Sequence, residues 1–155
     1  MLSKATELPL NLHALFVHRK PLNIVWTSVV IHIRNVNERP FFVRVPSVCS
    51  IAEESVPGTP LACEGGGFVV DDVDVETWGL NTTVSIGQWY FEIAGDGGDC
   101  MTSGGCGMAV VEGATRMDYD TGLQYIHVEV CVADGGALFE CVNVTVIVDN
   151  INEGA

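Results

Sequence analysis

The chain has 155 residues, of which 20 are acidic and 7 basic, for a formal net charge of −13. This length gives one domain of roughly 100–150 residues with a short additional segment. So acidic a chain repels nucleic acids and anionic lipid and favours cations, and the grouping of its acids in short clusters favours cation binding over a general role in solubility.

The first predicted elements are strands. Residues 8–15 and 24–33 are apolar stretches that we expect to pair as the closing hairpin of a domain whose first half is not in the sequence. A new unit begins at 41–55, where Pro46 breaks the first strand. The glycine triplet at 65–67 suggests a flexible insertion, and short strands are predicted at 82–87 and 89–95.

The C-terminal half contains the clearest strands. The glycine-rich segment 96–107 is expected to form a surface loop closed by its two cysteines, before strands at 125–134 and 140–149. In the last strand, valines at every second position alternate with Asn143 and Thr145, which is typical of a sheet with one face in a core. These short strands predict an all-β fold, a seven-stranded antiparallel Greek-key sandwich of the immunoglobulin-like type.

Six cysteines in a small β-rich chain indicate an oxidising compartment. Proximity along the chain suggests three local disulfides, although six cysteines allow many other connectivities. The suggested pairs are Cys49 with Cys63, Cys100 with Cys106, and Cys131 with Cys141. Zinc is disfavoured, because the sequence has no C-x-x-C motif and no nearby pair of histidines.

The cysteines suggest an extracellular protein, but the sequence shows neither an export signal nor a membrane span. No run reaches the roughly 18–20 apolar residues that a membrane span needs. The N-terminus does not resemble a signal peptide, because Asn11 and His13 interrupt its apolar region. Two N-x-T sequons, at Asn81 and Asn143, are compatible with a secreted glycoprotein. We therefore expect the export signal and any anchor to lie outside this sequence.

A polar tetrapeptide occurs twice, each time directly after an apolar strand. Asn35-Val36-Asn37-Glu38 matches Asn150-Ile151-Asn152-Glu153. Such self-similarity at a distance of about one domain predicts a tandem array of repeated domains.

Further oxygen-bearing residues lie between these two segments. They are Glu53; Asp72 and Asp74, followed by Asn81; Asp118 and Asp120; and Asp134. Calcium takes about six to eight oxygen ligands, and two aspartates separated by one residue in an extended turn can bind the same ion. A single pair of this kind is ordinary on a protein surface, so the interpretation depends on the whole set.

Taken in order, these motifs resemble a cadherin repeat. Such repeats follow a D-x-N-D-N-P-x-x-F linker and carry a Glu before P-x-G-T, then D-x-D, L-D-x-E, A-x-D-x-G and the next linker. The corresponding segments here are "NVNERPFF", "EESVPGT", "DVD" with Asn81, "MDYD", "VADGG" and "NINEG". The resemblance implies a cadherin-type sandwich, with 1–36 as the tail of a preceding repeat plus linker, 37–150 as a complete repeat and 151–155 as the start of the next linker.

The resemblance also implies Ca²⁺ ions between consecutive repeats, which would stiffen the linkers, and it assigns two half-sites. The upstream ligands would be Asn35, Asn37, Glu38, Asp72, Asp74, Asn81 and Asp134. The downstream ligands would be Glu53, Asp118, Asp120, Asn150, Asn152 and Glu153. The implied function is calcium-dependent, homophilic cell–cell adhesion outside the plasma membrane, with neighbouring repeats and another cadherin in cis or trans as partners.

Several positions depart from the family pattern. Asn35 and Asn150 stand where the linker has its first Asp, and Glu38 and Glu153 where it has its second. Arg39 places a cation where the linker ends in Asn. Because calcium affinity follows the number of charged ligands, we expect weaker binding than in a fully acidic linker.

Two alternatives differ in class. A non-adhesive structural spacer of a large extracellular protein would share the calcium sites but make no contact between cells. An enzyme is disfavoured, because the carboxylates occur as local D-x-D turns and not as two separated acids flanking a pocket. The chain's histidines also have no ordered nucleophile beside them in the sequence, so we expect no small-molecule substrate.

Overall fold

The computed structural model describes residues 10–16, 25–74, 79–94, 100–101 and 104–152, with side chains from residue 29 onward. The chain divides into two compact units, Met1–Val36 and Asn37–Ala155. The described residues form eleven β-strands. None of them belongs to a helix with the length and apolar character that crossing a bilayer requires.

The first unit contains one antiparallel hairpin. Its strands are β1 (Leu10–Phe16) and β2 (Val25–Ile31). The pairing runs from Leu10 opposite Ile31 to Phe16 opposite Val25. This confirms the predicted hairpin, although residues 8, 9 and 24 of the predicted strands lie outside the described residues.

The second unit is a β-sandwich, as predicted, although its described residues form nine strands where seven were predicted. Its strands are β3 (Phe41–Arg44), β4 (Cys49–Ala52), β5 (Ala62–Cys63), β6 (Val69–Asp71), β7 (Leu80–Ile86), β8 (Phe91–Ala94), β9 (Gly107–Val110), β10 (Tyr125–Asp134) and β11 (Phe139–Asp149). One sheet has the order β5-β4-β11-β10-β7. In the other layer β3 pairs with β6 and β8 with β9, and a bridge between Phe68 and Cys106 joins the two pairs.

The first strand of this unit crosses between the layers at Pro46. Proline has no N–H to donate to a ladder, so the chain leaves β3 there and enters the other sheet as β4. Strand β4 then pairs in parallel with β11, from Cys49 opposite Val146 to Ala52 opposite Asp149. This parallel pair is a detail that the predicted antiparallel pattern does not contain.

The core lies between the layers and is built on period-two alternation. Val128, Val130 and Val132 of β10 are completely buried, and every second residue of β11 points inward with them. Phe68 and Met108 pack from the opposite layer. Burying a side chain of this size stabilises the fold by about 1.5–3 kcal/mol. The core thereby fixes β10 and β11, whose ends carry the acidic residues.

All three predicted disulfides are present. Cys49–Cys63 joins directly opposed residues of β4 and β5, and Cys131–Cys141 does the same for β10 and β11. The third pair, Cys100–Cys106, differs from the expected surface loop, because both of its cysteines are buried in the core. The disulfide therefore packs in the interior of the sandwich.

The glycine triplet was expected to be flexible, but it makes a close backbone contact. Phe68 and Cys106 exchange two backbone hydrogen bonds of 2.8 and 2.9 Å. A Cβ atom on Gly67 would lie 2.3 Å from the Cys106 carbonyl oxygen, and one on Gly105 would lie 2.3 Å from that of Phe68. Only glycine fits such an approach without a backbone shift.

Arg44 ties the two glycine-rich segments together. Its Nε donates to the Gly67 carbonyl at 2.8 Å and its Nη2 to the Gly104 carbonyl at 2.9 Å. Replacing Arg44 with alanine should lower the free energy of unfolding by about 2–3 kcal/mol, because two charge-assisted hydrogen bonds are lost. Urea unfolding measures this change. The exposed Arg34, changed to alanine, is the control and should alter stability by less than about 0.5 kcal/mol; equal losses would contradict the assignment.

Candidate metal centre

The acidic residues gather at the two opposite ends of the sandwich. Strands β10 and β11 are antiparallel, so Asp134 at the end of β10 and Asp149 at the end of β11 lie roughly 35–37 Å apart. Glu53 follows β4 and lies at the Asp149 end, where its N–H donates to the Asp149 carbonyl at 2.9 Å. The upstream cluster comprises Asn37, Glu38, Asp72, Asp74 and Asp134. The downstream cluster comprises Glu53, Asp118, Asp120, Asn150 and Asn152.

In the upstream cluster, the segment that precedes β3 is hydrogen-bonded to two carboxylates. Asn37 Nδ2 donates to Asp134 Oδ2 at 2.7 Å. The backbone N–H of Glu38 donates to Asp74 Oδ2 at 2.9 Å. The structure therefore brings these four predicted ligands together.

The turn after β10 holds Asp134 in place. Its Oδ1 accepts hydrogen bonds from the N–H groups of Gly136 and Leu138, both at 2.8 Å. A Cβ atom on Gly136 would lie 2.4 Å from Asn37 Nδ2, so the glycine makes room for that amide. Gly136 is the second glycine of "ADGG" and is a further functional residue that was not among the predicted ligands.

The carboxylates of the upstream cluster are buried, and two oxygen atoms of the cluster lack hydrogen-bond partners. Asp72, Asp74 and Asp134 are only 3%, 5% and 8% exposed. Asp72 Oδ1 accepts from the Asp74 N–H at 2.7 Å, but Asp72 Oδ2 and Asn37 Oδ1 are buried and have no hydrogen-bond partner among the described residues. Leaving a carboxylate oxygen in this state is costly. Carboxylate and amide oxygens are the ligands that Ca²⁺ prefers, so these two atoms are candidates for contact with a cation.

Asn81 is not brought to the upstream cluster. It lies opposite Ala133 in the β7–β10 pair, whereas Leu80 lies opposite Asp134. Neighbouring residues of a strand point to opposite faces, so the Asn81 side chain lies on the outer face and that of Asp134 on the inner one. Asn81 is accordingly exposed.

In the downstream cluster, one buried carboxylate joins two distant segments. Glu53 is 2% exposed. Its Oε2 accepts from the Tyr119 N–H at 2.8 Å and its Oε1 from the Ile151 N–H at 2.7 Å. Glu53 therefore holds the turn that carries Asp118 and Asp120 against the C-terminal segment.

The remaining downstream residues are more open to solvent. Asn150 Nδ2 donates to Asp120 Oδ1 at 3.2 Å, and Asp118 Oδ1 accepts from the Thr121 N–H at 3.1 Å within its own turn. Asn152 is exposed. Glu153 lies outside the described residues, and Asn35 is an exposed residue of the first unit.

Neither cluster is a closed cage. In the described part of the chain, a group of three metal-ligating side chains within 4.8 Å of one another occurs only at Glu129, Cys131 and Cys141. The two cysteines of this group form a disulfide, so they do not offer thiolates to a metal. The acidic clusters are thus open arrangements in which three carboxylates do not converge by themselves.

Comparisons with known proteins agree on the fold. No family model matches the chain, and no curated protein sequence matches it. Solved structures do match. A structure of protocadherin gamma B2 extracellular cadherin domains 1–5 aligns with a TM-score of 0.59 and 16% identity over 95% of this chain. The chicken VE-cadherin EC1-2 structure aligns with a TM-score of 0.51 and 17% identity over 90% of it. The fold is cadherin-like.

This likeness concerns the fold, because the identities are low. The chain spans 27% of the protocadherin gamma B2 domain 1–5 structure and 66% of the VE-cadherin one. A third structure, a protocadherin gammaB7 EC3-6 cis-dimer, matches 84% of this chain with a TM-score of 0.54 and 18% identity. In the cadherin-like unit of this chain, the two acidic clusters lie where the strands enter and leave the sandwich.

Proposed function

We propose that residues 37–150 are a calcium-binding extracellular repeat that contributes to calcium-dependent, homophilic cell–cell adhesion as part of a larger membrane-anchored protein. One observation carries the calcium assignment. Asp72 Oδ2 and Asn37 Oδ1 are buried without a hydrogen-bond partner in the described structure, beside two further buried carboxylates. A divalent cation supplies the missing positive charge and the missing contacts.

Each cluster would form one side of a junction between repeats. Asn37, Glu38, Asp72, Asp74 and Asp134 would hold calcium on the upstream side. Glu53, Asp118, Asp120, Asn150, Asn152 and Glu153 would hold it on the downstream side. Carboxylates and amides from a neighbouring repeat complete each site, which agrees with the open arrangement of both clusters. Asn35 would belong to the upstream linker.

Calcium would act mechanically at these junctions. Without metal, the carboxylates on either side of a linker repel one another, so the linker samples many orientations. Bound ions remove that repulsion, and the free energy of ion binding stiffens the array. Extracellular calcium modules have dissociation constants of about 10⁻⁴–10⁻³ M. The neutral Asn150 and the cationic Arg39 place this protein at the weak end of that range.

A stiff array presents its surface to another cell, where many weak contacts add through multivalency. The spacer alternative shares the calcium dependence but makes no such contact. Beads coated with a multi-repeat form of the protein separate the two functions: calcium-dependent clumping of identical beads supports homophilic adhesion. Dispersed beads together with a normal calcium response would identify a spacer.

Calcium binding is tested by thermal unfolding, in chelator and in calcium, of a form lengthened by a neighbouring repeat at each end, because each site needs ligands from two repeats. Calcium at about ten times its dissociation constant should add roughly 1.4 kcal/mol to the free energy of unfolding. Magnesium at the same concentration is the control, since it prefers a smaller, octahedral site that retains water. An unfolding curve unaffected by several millimolar calcium would overturn the proposal.

Replacing Gly136 with alanine tests whether Asn37 is a calcium ligand. The added Cβ would collide with Asn37 Nδ2, the far end of a side chain that can move. Stability in chelator should fall by about 1.5 kcal/mol, because displacing Asn37 breaks its hydrogen bond to Asp134. The calcium increment should fall as well, because the amide oxygen of Asn37 moves away from the cluster.

Gly107→Ala is the matched control for this variant, since a Cβ there meets no atom within 4 Å. It should keep the full calcium increment. If both glycine variants keep that increment, Asn37 is not a ligand.

A further inference from the structure

Both sequons lie on one face of the five-stranded sheet. In β10, residues 129, 131 and 133 alternate with the buried residues 128, 130 and 132 and therefore face outward. Asn81 lies opposite Ala133, and Asn143 lies opposite Glu129. Opposed residues of an antiparallel pair share a face, so both asparagines point away from the core on the same side.

Each asparagine also has its sequon hydroxyl beside it. In an extended strand, residues two apart lie on one face. Thr83 therefore stands on the outer face with Asn81, and Thr145 with Asn143. Both asparagines are exposed, as is Thr83, and Thr145 is half-buried. The acceptor and the hydroxyl residue of each sequon thus face solvent together.

The distance between the two acceptor asparagines shows how much of this face two glycans would cover. They lie on β7 and β11, two strands apart across β10, and are offset by four residues along it. With strands about 4.8 Å apart and a rise of about 3.4 Å per residue, their Cα atoms are roughly 17 Å apart. The Cys131–Cys141 disulfide lies between them on the same face and fixes β10 to β11.

We propose that Asn81 and Asn143 both carry N-linked oligosaccharides, so that the outer face of β7, β10 and β11 is covered by sugar and excluded from close protein contact. This rests on the proposed extracellular location. Asn81, which the family resemblance assigned as a calcium ligand, is then a modification site. Its side chain faces away from the upstream cluster, and its amide nitrogen is occupied by the glycan.

The chemistry is a group transfer in the secretory pathway. The donor is an oligosaccharide linked through pyrophosphate to a lipid. Asn Nδ2 forms a bond to the anomeric carbon of the first sugar, while the bond from that carbon to the pyrophosphate oxygen breaks. The lipid pyrophosphate leaves, and the proton lost from the amide passes to a base of the transferase.

The test uses the whole 155-residue chain behind a secretory leader in mammalian cells. The secreted protein is weighed by intact mass spectrometry before and after peptide N-glycosidase treatment. We expect glycosidase treatment to remove two glycans from the wild-type protein. The Thr83→Ala and Thr145→Ala variants should each carry only one glycan. The Thr83→Ser and Thr145→Ser variants keep a sequon and should carry both.

The glycan proposal and the calcium proposal are contradicted by different results. Secreted protein without sugar at either asparagine would overturn this inference and leave the calcium proposal standing. A glycosylated form lengthened by neighbouring repeats, whose unfolding does not respond to calcium either before or after the glycans are removed, would overturn the calcium proposal alone. Occupied Asn81 with a full calcium increment is the expected result. A different result would be a glycosylated protein that lacks the calcium increment and regains it when only the Asn81 glycan is removed. In that case the glycan at Asn81 would interfere with calcium binding, and the placement of Asn81 away from the calcium site would be wrong.

Discussion

Reduction of the three disulfides should unfold the second unit at room temperature. The bridged residues are separated by 14, 6 and 10 positions in the sequence. In the chain-entropy account, closing loops of this size stabilises the folded state by about 2–3 kcal/mol each, on the order of 8 kcal/mol together. Domains have a total stability of about 5–15 kcal/mol. This loss equals or exceeds the stability of a domain in the lower half of that range, so the reduced chain should be largely unfolded.

Circular dichroism in chelator, with and without a phosphine reductant, measures this effect. The double variant Cys131→Ser, Cys141→Ser is the matched control, since it removes one bridge and should cost about 2–3 kcal/mol without unfolding the protein. A fully reduced chain that keeps its near-ultraviolet signal and its urea midpoint would show that the core alone suffices. Partial recovery of the signal on adding calcium would report metal binding to the native state.

Asp134→Ala should lower stability by about 3 kcal/mol in chelator and abolish calcium binding at the upstream cluster. The carboxylate accepts hydrogen bonds from Asn37 Nδ2 and from the N–H groups of Gly136 and Leu138. Each of these charge-assisted bonds contributes about 1.5 kcal/mol or more before the turn relaxes. Urea unfolding gives the loss of stability, and isothermal titration calorimetry gives the number of ions bound.

Asp134→Asn separates charge from hydrogen bonding. Its remaining oxygen can still accept from Gly136 and Leu138, so stability in chelator should fall by only about 1 kcal/mol. Calcium affinity should drop nearly as far as in the alanine variant, because a charged ligand is lost. The exposed Glu112, changed to glutamine, controls for net charge. If Asp134→Asn bound calcium as well as Glu112→Gln does, Asp134 would not be a ligand.

Elements with strong local patterns could be predicted from the sequence. The alternating valines of 140–149 fix both the strand and its inward face, because a half-buried strand has a period of two. The disulfides could be predicted because each joins residues close in sequence, on neighbouring strands or around one loop. Such features need no knowledge of distant partners.

Features that depend on distant partners could not be predicted. The face on which Asn81 lies is set by its register with Ala133, 52 residues away by their numbers, so spacing within a motif gave no reason to doubt it as a ligand. The role of Gly67 depends on Cys106 approaching its backbone. Seen alone, a glycine triplet indicates flexibility, whereas here it permits a close contact.

The order of the acidic motifs predicted the two clusters but not how they are held. Glu53 reaches Tyr119 and Ile151, which are 66 and 98 residues further along the chain. Both contacts are to backbone N–H groups, which nearly every residue has, so the amino-acid sequence does not show which residues donate. The turn that positions Asp134 could not be predicted for the same reason, because Gly136 and Leu138 also contribute only their backbone.

The parallel pairing of β4 with β11 determines how the second unit resists a force that pulls its two ends apart. These strands lie near its two termini, so pulling the ends apart drives them in opposite directions along their length. The ladder from Cys49–Val146 to Ala52–Asp149 is then sheared, and its hydrogen bonds must break together instead of one after another. The crossing at Pro46 thus places a ladder that resists shear between the two ends of the second unit.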